Sequence, residues 1–190
     1  NAFGLTCSDT SKFTELSCGL YINKEGIIAY RAVDNSYRIT GDGDSLLIYL
    51  STIYNADPND EENAGLKEMK YVVDTASFEI LSIFYFKDKN HVYNFTPMLE
   101  GGTIGVNRNA DANSFQILEN DAYAKDKKNC YYRGQVIEEA DLKSFQVLDT
   151  GYYSLFAFDK NNFYDGETKM TEREIKMENL DSIKKRKKEL

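Results

Sequence analysis

The chain has no tryptophan, a single histidine, three cysteines and no long apolar run. A helix needs roughly 20 apolar residues to cross a bilayer. The longest run here, Leu46 to Leu50, reaches Ile53 and Tyr54 only across polar interruptions, so membrane insertion is not expected. Hydrolytic triads generally need a histidine base. The one available, His91, stands in a turn-like stretch where related segments carry Lys or Asn, so the expectation is a non-enzyme without cofactors. Cys7, Cys18 and Cys130 permit at most one bridge, and Cys7 with Cys18 would close only a short loop, so the redox compartment stays open. Cations are also short, with 23 Lys and Arg against 31 Asp and Glu, a net charge of −8. Nucleic acid is therefore excluded as an expected partner, because phosphate backbones demand concentrated basic side chains. The one basic cluster, Lys184 to Lys188, closes the final segment, where cations suit a helix C-terminus.

What is present points to a folded, sheet-rich chain. A chain of 190 residues buries about 70% of its unfolded surface on folding. Hydrophobic residues at 42% and charged residues at 28% match ordinary globular usage. The aromatic set, 14 Tyr and 11 Phe, favours pleated, half-buried surfaces.

One pattern occurs three times: Asp74-x-x-Ser77-Phe78-x-x-Leu81, Asp111-x-x-Ser114-Phe115-x-x-Leu118 and Asp141-x-x-Ser144-Phe145-x-x-Leu148. A fourth copy, Asp9-x-x-Lys12-Phe13-x-x-Leu16, opens the chain with Lys in place of Ser. Each clear copy is followed by a second signature: Lys87-Asp88-Lys89-Asn90-His91-Val92-Tyr93, then Lys125-Asp126-Lys127-Lys128-Asn129-Cys130-Tyr131-Tyr132, then Asp159-Lys160-Asn161-Asn162-Phe163-Tyr164. Tyr21-Ile22-Asn23-Lys24-Glu25-Gly26 is a worn version of it.

The chemistry of one unit follows. Asp ahead of two variable residues and Ser accepts backbone donors ahead of it, which predicts a single tight turn. Phe and Leu anchor that turn. The Tyr- and Phe-rich stretch before each Asp-Lys suits a strand. Asp-Lys-Asn reverses the chain, since Asn and Asp satisfy local donors. Val92-Tyr93, Cys130-Tyr131-Tyr132 and Phe163-Tyr164 read as the return strand, closed by Arg133-Gly134 or Asp165-Gly166. An isolated hairpin is marginal in water, so the repeated Phe, Leu and Tyr are expected to bury neighbouring units against each other. Cys130, at a strand position held by Val92 and Phe163 in the other copies, reads as a small buried hydrophobe.

The stretch from Tyr123 through Asp126-Lys127-Lys128-Asn129-Cys130-Tyr131-Tyr132 to Ala140-Asp141 and Ser144-Phe145 resembles the bacterial DKNYY repeat family, best over residues 71–166. That family's units combine an Asp-Lys-Asn-aromatic turn with an Ala-Asp-x-x-Ser/Thr-Phe segment. His91, Cys130 and an insertion from Phe95 to Asn109 depart from the pattern. The resemblance implies little about activity beyond a loose association with envelope and toxin-neighbourhood proteins.

The expected architecture is mainly β: tandem β-hairpin repeats packed into one sheet-rich domain over residues 1–170, with a C-terminal α-helix in residues 171–190. Residues 41–70 read as strand or buried helix around Leu46-Leu50, then an acidic loop, Asp57 to Glu62. Thr171-Glu172-Arg173-Glu174 has capping-box form, and Ile175, Leu180 and Ile183 predict an amphipathic helix over 172–188. Asp42, Asp44, Asp57, Asn59 and Asp60 lack a calcium loop's full spacing, and Gly101-Gly102-Thr103-Ile104-Gly105 lacks the Lys of a phosphate cradle, so neither a metal nor a nucleotide is expected. Tyr85, Tyr93, Tyr123, Tyr132, Tyr153 and Tyr164 are the candidate binding surface, an aromatic strip for protein or glycan. The leading functional expectation is a non-catalytic, envelope-associated module that binds a protein partner, possibly a basic one. The alternatives are an immunity protein masking a basic toxin and a glycan-binding or carbohydrate-acting protein. The opening Asn1-Ala2-Phe3 without methionine fits a trimmed signal peptide, so an exported, periplasmic or envelope location is expected ahead of a cytoplasmic one.

Overall fold

The computed structural model describes residues 12–34, 46–55, 65–99, 101–119, 121–149 and 155–180. They belong to two compact units, Asn1–Asn113 and Ser114–Leu190. Both are built of antiparallel meanders.

In the first unit, β1 (Phe13–Ser17), β2 (Leu20–Asn23), β3 (Ile28–Asp34) and β4 (Leu46–Leu50) form a four-stranded sheet in chain order. The Leu46–Leu50 run is thus a strand, paired along its full length with β3 from Tyr30↔Leu50 to Asp34↔Leu46. A second sheet contains β5 (Thr52–Asn55), β6 (Gly65–Glu68), β7 (Glu79–Ile80), β8 (Tyr85–Lys87), β9 (Val92–Thr96) and β10 (Thr103–Asn107), in the order β6-β5-β10-β9-β8-β7. The Phe95–Asn109 insertion becomes the β9–β10 hairpin, which joins the repeat to β5 through the parallel pair Gly105↔Tyr54. Gly102, at φ +119, makes that hairpin possible, because a Cβ there would lie 2.5 Å from the Thr96 carbonyl oxygen. Leu20, Ala32, Ile48, Leu50, Ile53, Met69, Phe78, Phe86, Tyr93 and Ile104 meet in the main core. Phe13, Tyr21, Ala29 and Tyr49 form a smaller cluster of their own.

The second unit repeats one four-stranded meander twice. The first is β11 (Gln116–Ile117), β12 (Tyr123–Lys125), β13 (Cys130–Tyr132) and β14 (Gln135–Val136). The second is β15 (Gln146–Asp149), β16 (Leu155–Phe158), β17 (Phe163–Asp165) and β18 (Thr168–Lys169). Each unit of the repeat is therefore a turn plus hairpin, as the residues predict, with one more short strand at either side. Tyr123, Cys130 and Ile137 of one meander share a core with Phe145, Val147, Ala157 and Tyr164 of the next. The two meanders of this unit thus bury each other's aromatic residues.

The anchors behave unequally. Phe78, Phe115 and Phe145 are 4–5% exposed. Leu148 is buried within β15, but Leu81 and Leu118 are only half-buried, because each falls just past a two-residue strand at the sheet edge. The C-terminal helix begins where its cap predicts. Its capping box is formed, with the Thr171 hydroxyl accepting from the Glu174 N–H and the Glu174 carboxylate receiving the Thr171 N–H at 2.7 Å. α1 spans Glu172–Met177, where Asn179 at φ +54 interrupts the helix a residue after its Glu178 cap; the expected span beyond Leu180 lies outside the described residues. Ile175 and Leu180 pack against Leu148, Phe156, Phe158, Phe163 and Met170. Ile183, the Lys184–Lys188 cluster, Cys7, Asp9, the acidic loop Asp57–Glu62 with Asp42 and Asp44, and Tyr153 lie outside the described residues.

Candidate functional site: an aspartate and tyrosine lock in each repeat

The Asp of each Asp-Lys-Asn stretch reads as an exposed turn residue on composition, but it is one of the most enclosed polar groups in its unit. Asp88, Asp126 and Asp159 are 2%, 5% and 0% exposed. Burying a carboxylate is costly unless its lone pairs are filled, and here the local chain fills them. Oδ1 of Asp88 accepts the N–H groups of Asn90 and His91, both at 2.7 Å. Asp126 takes those of Lys128 and Asn129 at 2.6 and 2.8 Å, and Asp159 those of Asn161 and Asn162 at 2.7 Å. The turn is closed behind them by the aspartate's own N–H, which donates to the carbonyl three residues on.

The second oxygen faces inward. Five residues after each aspartate, a tyrosine on the return strand donates its hydroxyl to Oδ2: Tyr93 to Asp88 at 2.6 Å, Tyr131 to Asp126 and Tyr164 to Asp159 at 2.9 Å. The same Oδ2 accepts the backbone N–H that begins the Asp-x-x-Ser turn, from Asp74 to Asp88 and from Asp141 to Asp159, both at 2.8 Å. The two sequence signatures are thus halves of one hydrogen-bonded assembly.

A second layer ties them again. In the outer copies the Ser N–H and hydroxyl both donate to Oδ1 of the turn's own aspartate, Asp74 for Ser77 and Asp141 for Ser144. The serine oxygen then accepts the N–H of the lysine that follows the buried aspartate: Lys89 to Ser77, Lys127 to Ser114 and Lys160 to Ser144, at 3.0–3.2 Å. Lys89 and Lys160 reach back with their ammonium groups to Asp74 and Asp141, at 2.6 and 2.8 Å. The repeated Phe then lies against the lock tyrosine, with ring centroids 6.2 Å apart for Phe78 and Tyr93, 5.6 Å for Phe115 and Tyr131, and 5.8 Å for Phe145 and Tyr164.

Electrostatics follow the geometry. Burial pushes the hydroxyl pKa of Tyr93, Tyr131 and Tyr164 well above its ordinary value, and the aspartate beside each pushes the same way. Burial also raises Asp159, but the N–H groups of Asp141, Asn161 and Asn162 and the Tyr164 hydroxyl outweigh it and leave the carboxyl below its usual range. Lys160, then Ser144, draws Asp141 down to about 2. Lys89, then Ser77, lowers Asp74. At Asp159 the assembly is therefore a buried carboxylate held ionised by neutral donors, rather than a pair of groups poised to exchange a proton.

His91 has a structural role inside this assembly. In the other copies an Asn amide donates to the tyrosine oxygen, Asn129 to Tyr131 and Asn162 to Tyr164, both at 3.2 Å. His91 Nδ1 occupies the same place, 3.4 Å from the Tyr93 oxygen. Because that hydroxyl gives its proton to Asp88, the geometry requires Nδ1 to be the donor. Cys130 is buried, and burial pushes its thiol up to about 12, which fits the reading as a small apolar side chain. Cys18 is an exposed free thiol.

The tyrosine strip needs correction. Tyr85, Tyr93, Tyr123 and Tyr164 are fully buried. Both faces of these strands are covered, since Phe86, Val92, Ala124 and Phe163 beside them are buried too, so none of them offers a surface. Tyr132 is half-buried, under Arg133 and against Tyr123 at 5.0 Å. The Tyr123 hydroxyl donates to the Gly166 carbonyl at 3.1 Å, which links one meander to the turn of the next.

Hairpins that recur along the chain, three of them closed by a buried aspartate and the tyrosine five residues after it, define the class: a tandem hairpin-repeat protein. Comparison with protein-family models matches residues 102–168 to the DKNYY family. The lock of Asp88 and Tyr93 lies ahead of the matched residues and has the same geometry. No curated protein and no solved structure matches the chain.

Proposed function

We propose that the chain is a non-catalytic protein-interaction module of the cell envelope, whose repeats form a scaffold and whose exposed turns carry recognition. One observation supports this reading most. The polar residues that recur between repeats are spent on internal bonds, whereas positions that vary between them, such as Asn90, Lys128 and Asn161 at the turn tips, are exposed. A repeat whose recurring residues are architectural leaves specificity to its variable surface. With four of the six tyrosines buried, the protein reading is favoured over the glycan reading, which needs exposed ring faces.

The charge of −8 supports a more specific form, a partner with a basic surface such as a cationic toxin. The test is capture from envelope extract with the intact chain, followed by affinity measured over a salt series. The reading expects one saturable protein partner in the envelope fraction, binding that weakens with salt, and loss of binding by charge reversal at exposed acidic residues without loss of fold. Recovery of the chain only from the cytosolic fraction, or turnover of a glycan substrate, would count against it.

A further inference from the structure

We infer that the N-terminal repeat is built to open on its own, because it has the hairpin of the other repeats without their lock. Register makes the comparison direct. Tyr93 lies opposite Phe86, two residues before Asp88; Tyr131 lies opposite Ala124 and Tyr164 opposite Ala157, each two residues before its aspartate. In the N-terminal repeat the residue opposite Tyr21, two before Asn23, is Ala29. No hydroxyl is available there, and the aspartate is replaced by a neutral amide.

Asn23 keeps half of the turn chemistry. Its Oδ1 accepts the N–H groups of Glu25 and Ile27 at 3.0 and 2.8 Å. The turn is one residue longer, closed by the Asn23 N–H on the Ile27 carbonyl at 3.1 Å, with Gly26 at φ +78. The ring that should face the repeat's phenylalanine comes from elsewhere. Tyr49 of β4 stacks on Phe13 with centroids 4.2 Å apart and planes 9° from parallel. It fills the volume over Ala29 but belongs to a different hairpin, so it does not tie β2 to β3. Among the described residues, the Asp88 carboxylate's bonds to turn, return strand and preceding segment are thus reduced to two backbone bonds to the Asn23 amide oxygen. Bonds to charged acceptors are roughly twice as strong as neutral ones, and loss of one such bond shifts an opening equilibrium about tenfold or more. Opening would uncover Phe13, Tyr21 and Tyr49, an aromatic surface that the locked repeats never release.

Hydrogen exchange on the intact chain tests this without reference to any partner. Peptides covering residues 20–34 are expected to exchange at least about tenfold faster than those covering 85–96. The double variant Asp88→Asn/Tyr93→Phe is expected to bring 85–96 to within a few-fold of 20–34. Should that variant fail to fold, Tyr93→Phe alone, which removes only a hydroxyl, must narrow the difference. Equal protection of the two segments in the unaltered chain, or a difference that either folded variant leaves unchanged, overturns the inference.

Discussion

Replacing Asp159 by alanine is the sharpest perturbation of the repeat. The carboxylate receives the N–H groups of Asp141, Asn161 and Asn162 and the hydroxyl of Tyr164. Asn161 is exposed, so its N–H recovers a partner from water, and Asn162 recovers one in part. The Asp141 N–H and the Tyr164 hydroxyl are left facing a buried gap. A buried donor without an acceptor costs about 1–3 kcal/mol. With the cavity added, Asp159→Ala is expected to cost about 3–5 kcal/mol. Tyr164→Phe removes one bond to a charged acceptor and leaves the ring against Phe145, for about 1.5–3 kcal/mol. The two changes act on one contact, so the double variant is expected to fall short of the sum by about 1–3 kcal/mol. Urea unfolding followed by circular dichroism measures all three variants in one cycle. Asp159→Ala costing less than about 1 kcal/mol, or a cycle with no coupling, would refute the reasoning, because the aspartate would then be only a turn residue.

Four further outcomes follow from the same geometry. Phe145→Ala, which empties the contact between the two meanders of the second unit, is expected to cost about 3–5 kcal/mol in the same urea assay. Thr171→Ala, at an exposed cap of a short helix, is expected to cost only about 1 kcal/mol. Asp141 and Asp159 have folded values below their unfolded ones, so the stability they contribute is complete above the ordinary carboxylate range and is lost as pH falls below it, toward about 2 for Asp141. Tyr164 is raised by burial and by Asp159, so its share is complete below its ordinary value of 10.0 and is lost as pH rises beyond it; a pH series of urea midpoints is expected to be flat between these limits. In a native alkylation experiment read by peptide mass, Cys18 is expected to label and Cys130 to stay unlabelled until the chain is denatured.

The repeat was legible in the sequence because its anchors recur in register. Phe78, Phe115 and Phe145 were core on pattern alone, and the Asp-x-x-Ser turns formed with the bonds their residue types dictate. The lock was not read, because Asp before Lys-Asn looks like solvent-facing turn chemistry when taken one residue at a time. The signal was present in the spacing: a tyrosine stands five residues after Asp88, Asp126 and Asp159 in every clear copy. An acceptor and a donor repeated at a fixed interval across a hairpin are a stronger hint of contact than either residue's propensity. The tyrosine strip failed for a related reason. Tyrosine suits both surfaces and interiors, and only the pairing register shows that Tyr93 and Tyr164 share the inward face with Phe86 and Ala157. The interruption of the helix after Met177 comes from Asn179 in the left-handed conformation, which a pattern of apolar spacing does not register.

In three copies the Asp-Lys-Asn stretch is an internal bond between a buried aspartate and a tyrosine hydroxyl. Hydroxyl-proton NMR on the native chain observes that bond directly. Three slowly exchanging tyrosine hydroxyl protons are expected, from Tyr93, Tyr131 and Tyr164, and each should vanish singly in Asp88→Asn, Asp126→Asn or Asp159→Asn. Hydroxyl protons at these three positions that exchange at solvent rates, or persist when their aspartate is replaced, would contradict it.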